Sequence, residues 1–144
     1  SSHNVSADAL ALELTESALV NNLQAAGKEL GVLRKAGITI ALDDFGTGFS
    51  SLAYLRHLPL DTLKIDKIFV DDVESEHGRK LLEGMLDIGD ALGLRVVLEG
   101  VETEAQLGVL RSLGCEHFQG YLFSQPLPPQ ELKKWAENNY QASP

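Results

Sequence analysis

With a single cysteine, Cys115, the chain cannot form an intrachain disulfide. A lone thiol reads as a small buried hydrophobe, in keeping with a reducing compartment. Basic residues are scarce too: 12 Lys and Arg stand against 21 Asp and Glu, a formal net charge of −9. That balance leaves no broad basic face for a polyanionic backbone and excludes duplex nucleic acid as a partner. It does not exclude a small phosphate ligand, because carboxylates can bind a divalent cation that in turn receives the phosphate. No apolar run reaches the length of a membrane span, and Ser1 to Ser6 lack the charged and apolar regions of a leader. The segment is therefore expected to be cytoplasmic with no membrane contact of its own, although other domains could tether a longer protein. The chain does not begin with Met, which points to a piece of something longer.

What is present is an ordinary globular balance, 44% hydrophobic and 23% charged over 144 residues, with no linker or low-complexity run. The expectation is a single domain over residues 1–144. Short apolar runs at Leu10 to Leu14, Ile38 to Leu42, Thr62 to Ile65, Arg95 to Leu98 and Glu116 to Gln119 predict five strands. Helical spacing predicts helices over Asn21 to Lys35, Ser50 to His57, Arg79 to Leu92, Glu104 to Leu113 and Gln130 to Asn138. Thr103 and Gln106 form a capping-box pattern, Gly37, Gly93 and Gly114 stand at helix stops, and Pro128 and Pro129 suit a helix start. Strict alternation of strand and helix implies an α/β fold with parallel strands. Continuous runs such as Ile38 to Leu42 fit strands covered on both faces.

Polar residues recur where the strands end. Glu13 and Glu16 close the first, Asp43 and Asp44 the second, Lys64 and Asp66 the third, Glu99 and Glu102 the fourth, and Gln119 the fifth. Their intervals of roughly 20 to 35 residues match the pace of βα units in a barrel of about 250 residues and eight strands, whose active site lies at the C-terminal rim. Carboxylates converging there would repel unless protonated or neutralised, and the usual neutraliser is a hard cation, Mg2+ or Mn2+.

Taken singly, each has a plainer reading: Asp43-Asp44 as a solvated turn, Lys64 as a surface charge, Glu99 as a strand-end turn. Glu102 reads as a helix-entry acid, Gln119 as a polar edge residue, and Glu13 to Glu16 as a cap. Their joint register favours a site. Gly46 and Gly48 around Thr47 mark a sharply bent loop, but no Gly-Lys-Ser/Thr follows and no dinucleotide fingerprint is matched. His3, His57, His77 and His117 show no metal-ligand spacing, and Cys115 has no evident His partner, which disfavours covalent catalysis.

Five segments together resemble the EAL-domain phosphodiesterases, which hydrolyse cyclic di-GMP in bacterial second-messenger signalling. They are Glu13-Leu14-Thr15-Glu16-Ser17, Asp43-Asp44-Phe45-Gly46-Thr47-Gly48, Leu63-Lys64-Ile65-Asp66, Glu99-Gly100-Val101-Glu102-Thr103 and Gln119-Gly120-Tyr121-Leu122-Phe123, in family order. The resemblance implies a partial TIM-type (β/α) barrel, about five βα units from the C-terminal part of the domain. The strand bearing the Glu-Ala-Leu signature, and the Asn on a following strand, have no counterpart; Asn4 lies one strand too late to replace that Asn.

Carried across, the resemblance implies Glu13 and Asp43 as ligands of a first divalent ion, Asp43 bridging to a second, and Asp44 and Glu99 holding the second or its water. Lys64 would orient the attacking water, Glu16 would steady the loop from Asp43 to Ser51, and Glu102 and Gln119 would complete the rim beside water and substrate. Two metal ions would activate water and clamp phosphoryl oxygens, giving linear pGpG. With part of the ligand set missing, the isolated chain is expected to be inactive or nearly so, and an open barrel is expected to self-associate. Homodimers are implied by the resemblance. The competing reading is a receptor or protein-interaction module that keeps the fold without turnover.

Overall fold

The computed structural model describes residues 5–19, 23–48 and 52–139. A single 3-10 turn over Ala7–Ala9 leads into β1 (Ala11–Thr15), α1 (Glu16–Leu19) and α2 (Leu23–Lys35). There follow β2 (Thr39–Phe45), α3 (Leu52–Leu55), β3 (Thr62–Ile65), α4 (Lys67–Asp71), α5 (Glu76–Leu92) and β4 (Arg95–Leu98). The chain continues through α6 (Glu104–Ser112) and β5 (His117–Phe118) to α7 (Pro129–Asn139). The strands form one sheet in the order β1-β2-β3-β4-β5. All neighbours are parallel. With β1 and β5 at its two ends the sheet is open, so the chain is α/β and forms a partial TIM-type barrel.

All five predicted strands are present, but the alternation is not strict. Two helices separate β1 from β2, and two separate β3 from β4. The extra ones, α1 and α4, span four and five residues, too few for an apolar period to reveal. Asp66 begins α4 by accepting a hydrogen bond from the Ile68 N–H at 2.9 Å. Likewise Ser75 accepts from the Gly78 N–H at 2.9 Å, so α5 starts at Glu76, three residues before the first apolar-periodic turn. The capping box of Thr103 and Gln106 forms at α6, which stops at Ser112. Pro129 opens α7, and β5 pairs over two residues only. Of the predicted helices, Asn21, Asn22, Ser50 and Ser51 lie outside the described residues.

Strand parity sorts the core. Ile40 and Leu42 of β2, Leu63 and Ile65 of β3 and Leu98 of β4 join Leu30, Leu82, Leu107 and Leu110 of the helices in one apolar cluster. Burying a Leu or Ile of this kind contributes about 1.5–3 kcal/mol. Residues of the opposite parity, Ala41, Thr62 and Lys64, are buried as well. β2 and β3 are thus covered on both faces over much of their length, whereas β1 alternates exposed and half-buried positions.

Candidate active site

Lys64 is the centre of the site. It shares strand parity with Thr62 and stands away from the helix-packed face, near the C-terminal end of β3. Its side chain is 7% exposed, and its Nζ lies 2.9 Å from Glu13 Oε2, 3.0 Å from Asp43 Oδ1 and 2.8 Å from Glu99 Oε1. These carboxylates come from β1, β2 and the residue following β4. In the sheet register Glu13 is level with Ala41, Ala41 with Thr62, and Lys64 with Val97. The lysine stem therefore spans a stagger that backbone neighbours alone would not close. Burial works against the ammonium, but hydrogen bonds with Glu99, Glu13 and Asp43 outweigh it and raise the Lys64 pKa above its ordinary value. Lys64 is a fixed cation at neutral pH and no proton acceptor.

Consecutive strand residues normally face opposite ways, yet Asp43 and Asp44 both reach the site. The β2–β3 register shifts between Leu42 and Phe45, and Asp44 adopts φ 55°. This irregularity turns the backbone so that oxygens of Asp43, Asp44 and Glu99 all lie within 4.8 Å of one another. Burial, with repulsion from Asp43 and Asp66, raises the Asp44 pKa; burial also raises Glu99, against the opposing pull of Lys64.

The loop after β2 is held from below. Glu16, 2% exposed, accepts hydrogen bonds from the Gly46 and Gly48 N–H groups at 3.2 Å each through Oε2. Thr47 turns back on the same loop, donating from its hydroxyl to the Asp44 carbonyl at 2.9 Å. Gly46 has φ 96°, and a Cβ there would stand 2.7 Å from Phe69 and Met85, so a side chain is excluded both by conformation and by space.

Glu102 and Gln119 do not join the Lys64 cluster. Glu102 forms an ion pair with Lys67, and its backbone N–H donates to Gln106 Oε1 at 2.8 Å. Gln119 is exposed and contributes its main chain, its N–H donating to the Leu98 carbonyl at 2.8 Å. Both line an open depression of about 290 Å³ with Asp66, Lys67, Glu99 and Tyr121. Glu99 belongs to both groups, so the depression adjoins the carboxylate cluster. Lys67 is the residue that the motifs left without a role. The signal for it was a matched offset: Lys67 follows Lys64 by three positions as Glu102 follows Glu99, just beyond the level ends of the neighbouring strands β3 and β4.

A larger cavity, about 390 Å³, sits at the opposite end of the strands against Asp90, Arg95, Cys115 and His117. Burial pushes the Cys115 thiol up to about 11, which keeps it protonated and unreactive at neutral pH. Chemistry rather than volume selects the carboxylate end.

The donor set there fits a hard divalent cation. Asp43 Oδ1 is buried without a hydrogen bond among the described residues, its ion-pair contact with Lys64 aside. The all-oxygen donors within 4.8 Å are the kind such a cation prefers. No helix among the described residues is long and apolar enough to cross a membrane.

Comparison with known proteins points the same way. The family model of the EAL domain matches residues 1–126. Over 127 residues the chain is 47% identical to the cyclic di-GMP phosphodiesterase NbdA of Pseudomonas aeruginosa, covering 88% of this chain and 16% of that protein. Among solved structures, the PaMucR phosphodiesterase in its c-di-GMP complex aligns with a TM-score of 0.84 and 40% identity, over 90% of this chain and 53% of that one. The manganese/cy-diGMP complex of Klebsiella pneumoniae BlrP1 aligns at 0.78 and 36%, over 85% and 31%. The chain spans about a sixth of the length of the first curated relatives it matches.

Proposed function

Since the chain belongs to the EAL domain family, we propose that it is the C-terminal, catalytic-rim part of a metal-dependent phosphodiesterase that hydrolyses cyclic di-GMP to linear pGpG. The observation that carries this reading is the convergence of Glu13, Asp43 and Glu99 on Lys64, with Asp44 beside them, from successive parallel strands. Relatives named as cyclic di-GMP phosphodiesterases, and a related manganese/cy-diGMP complex, support it.

In this reading Glu13, Asp43, Asp44 and Glu99 hold Mg2+ or Mn2+. Bound there, the metal supplies Lewis acidity and a more acidic water for phosphodiester hydrolysis. Lys64 orients the attacking water and offsets charge on the phosphoryl oxygens, as a protonated group clamped by its carboxylates can. Glu16 fixes the loop carrying Gly46, Thr47 and Gly48, and so the approach of Asp43 and Asp44. Glu102 and Gln119 form the wall where substrate rests beside Glu99. Residues 1–144 belong to a single domain, as its C-terminal part, in the bacterial cytoplasm. The free edges of β1 and β5 support self-association or a homodimer, and a monodisperse monomer in light scattering would contradict that.

The test is chromatographic. Cyclic di-GMP is incubated with Mn2+ and either this chain or a longer polypeptide that carries the same sequence behind a Glu-Ala-Leu segment. Product from the longer polypeptide, lost in Asp43→Asn, is expected, with little or none from the chain alone. Ligand binding by the longer polypeptide with no product would instead establish a receptor.

A further inference from the structure

Lys67 has no part in the metal-binding cluster, yet it is fixed in position. Its aliphatic stem lies against Gly100, where any Cβ would collide with Lys67 Cβ, Cγ and Cδ. Gly100 has φ 71°, so conformation and space both keep this site free of a side chain. The ammonium meets Glu102 and has Asp71 at 3.9 Å. The depression it lines is otherwise acidic or neutral: Asp66, Glu99 and Glu102 are its carboxylates, and Lys67 is its sole cation among the described lining residues. Lys64 is nearby but buried among three carboxylates. Apart from the divalent cation proposed at Glu99, an anionic ligand entering there thus meets like charge from every charged wall residue except Lys67. At short range a like-charged carboxylate costs an anion as much as an ammonium returns, so the sign at this mouth decides whether it enters.

We propose that Lys67 is a substrate-positioning residue, whose ammonium, presented by Gly100 and shared with Glu102, receives a phosphodiester of the cyclic dinucleotide at the mouth of the depression. The inference rests on the function proposed above and adds to it the group that admits the anion. Glu102 then acts as a placeholder: it keeps the ammonium at the mouth when no ligand is present and yields part of that contact to the phosphate. Both partners are about 43–44% exposed, so the exchange requires no buried charge to be uncovered.

Calorimetric titration with cyclic di-GMP in the presence of Mn2+ tests the proposal on the longer polypeptide that carries this sequence behind a Glu-Ala-Leu segment, with Mn2+ alone titrated in parallel. Lys67→Gln is expected to bind the dinucleotide about tenfold more weakly and with a flatter salt dependence, while Lys67→Arg stays within about twofold. Mn2+ affinity and melting temperature should be unchanged in both, which a purely structural role for Lys67 would not give. Equal affinity and salt dependence in Lys67→Gln and the unsubstituted polypeptide would overturn the assignment. No dinucleotide binding by the unsubstituted longer polypeptide would instead overturn the proposed function, and the role of Lys67 with it.

Discussion

Two lysines three positions apart illustrate how differently one charge can be used. Lys64 is buried, held by three carboxylates from separate strands, and inseparable from the fold. Lys67 is half exposed, is shared between Glu102 and Asp71, and stands at the edge of a depression open to solvent. The first pairing neutralises charge that burial would otherwise make prohibitive, whereas the second is a screened surface contact whose value lies in placement. Position in the strand decides between them: Lys64 is within β3, and Lys67 is the first residue of the helix after it.

The contrast can be broken most sharply at Lys64. In Lys64→Met three carboxylates lose their common cation, and a buried pair broken from one side typically costs 3–5 kcal/mol; with Glu13 half exposed, about 3 kcal/mol is expected, read by denaturant melts. Divalent cation should restore much of the loss. Gly100→Ala comes next, at about 1–2 kcal/mol from left-handed backbone strain, with displacement of Lys67 visible as a fall in dinucleotide affinity.

A smaller effect follows from pH. Burial raises the pKa of both Asp44 and Glu99. Their contribution to stability is fully present below the ordinary carboxylate range, near about 4, and is lost as pH rises through the raised values. Melting temperature without metal should therefore carry a component that falls as pH rises above the ordinary carboxylate range, and saturating Mn2+ should abolish it. Least of all, Glu102→Gln should leave the melting temperature unchanged, because its partner Lys67 is screened by solvent; a clear drop would mean that the pair is structural after all.

Much of this was legible in the residues themselves. Apolar runs flanked by caps and stops marked five strands and the longer helices, because burial periodicity and capping are local properties. α1 and α4 were not legible, since four or five residues hold no period. The carboxylates and Lys64 could be named as rim residues, because parallel βα units bring strand ends to one side. Glu102 and Gln119, expected to complete that rim, line the depression that adjoins the Lys64 cluster at Glu99, and the ion pair of Glu102 with Lys67 was not legible in the sequence.

The class of fold, the direction of the strands and the inventory of charges at their ends follow from periodicity, chain order and residue type. Tertiary structure alone decided which charges meet. Strand stagger lets Lys64 reach Glu13, the irregularity at Asp44 turns two successive carboxylates to one side, and the bare Cα of Gly100 gives Lys67 its place. Each depends on distances between segments far apart in the chain, and Coulomb and steric energies act on distance in space, not on separation in sequence.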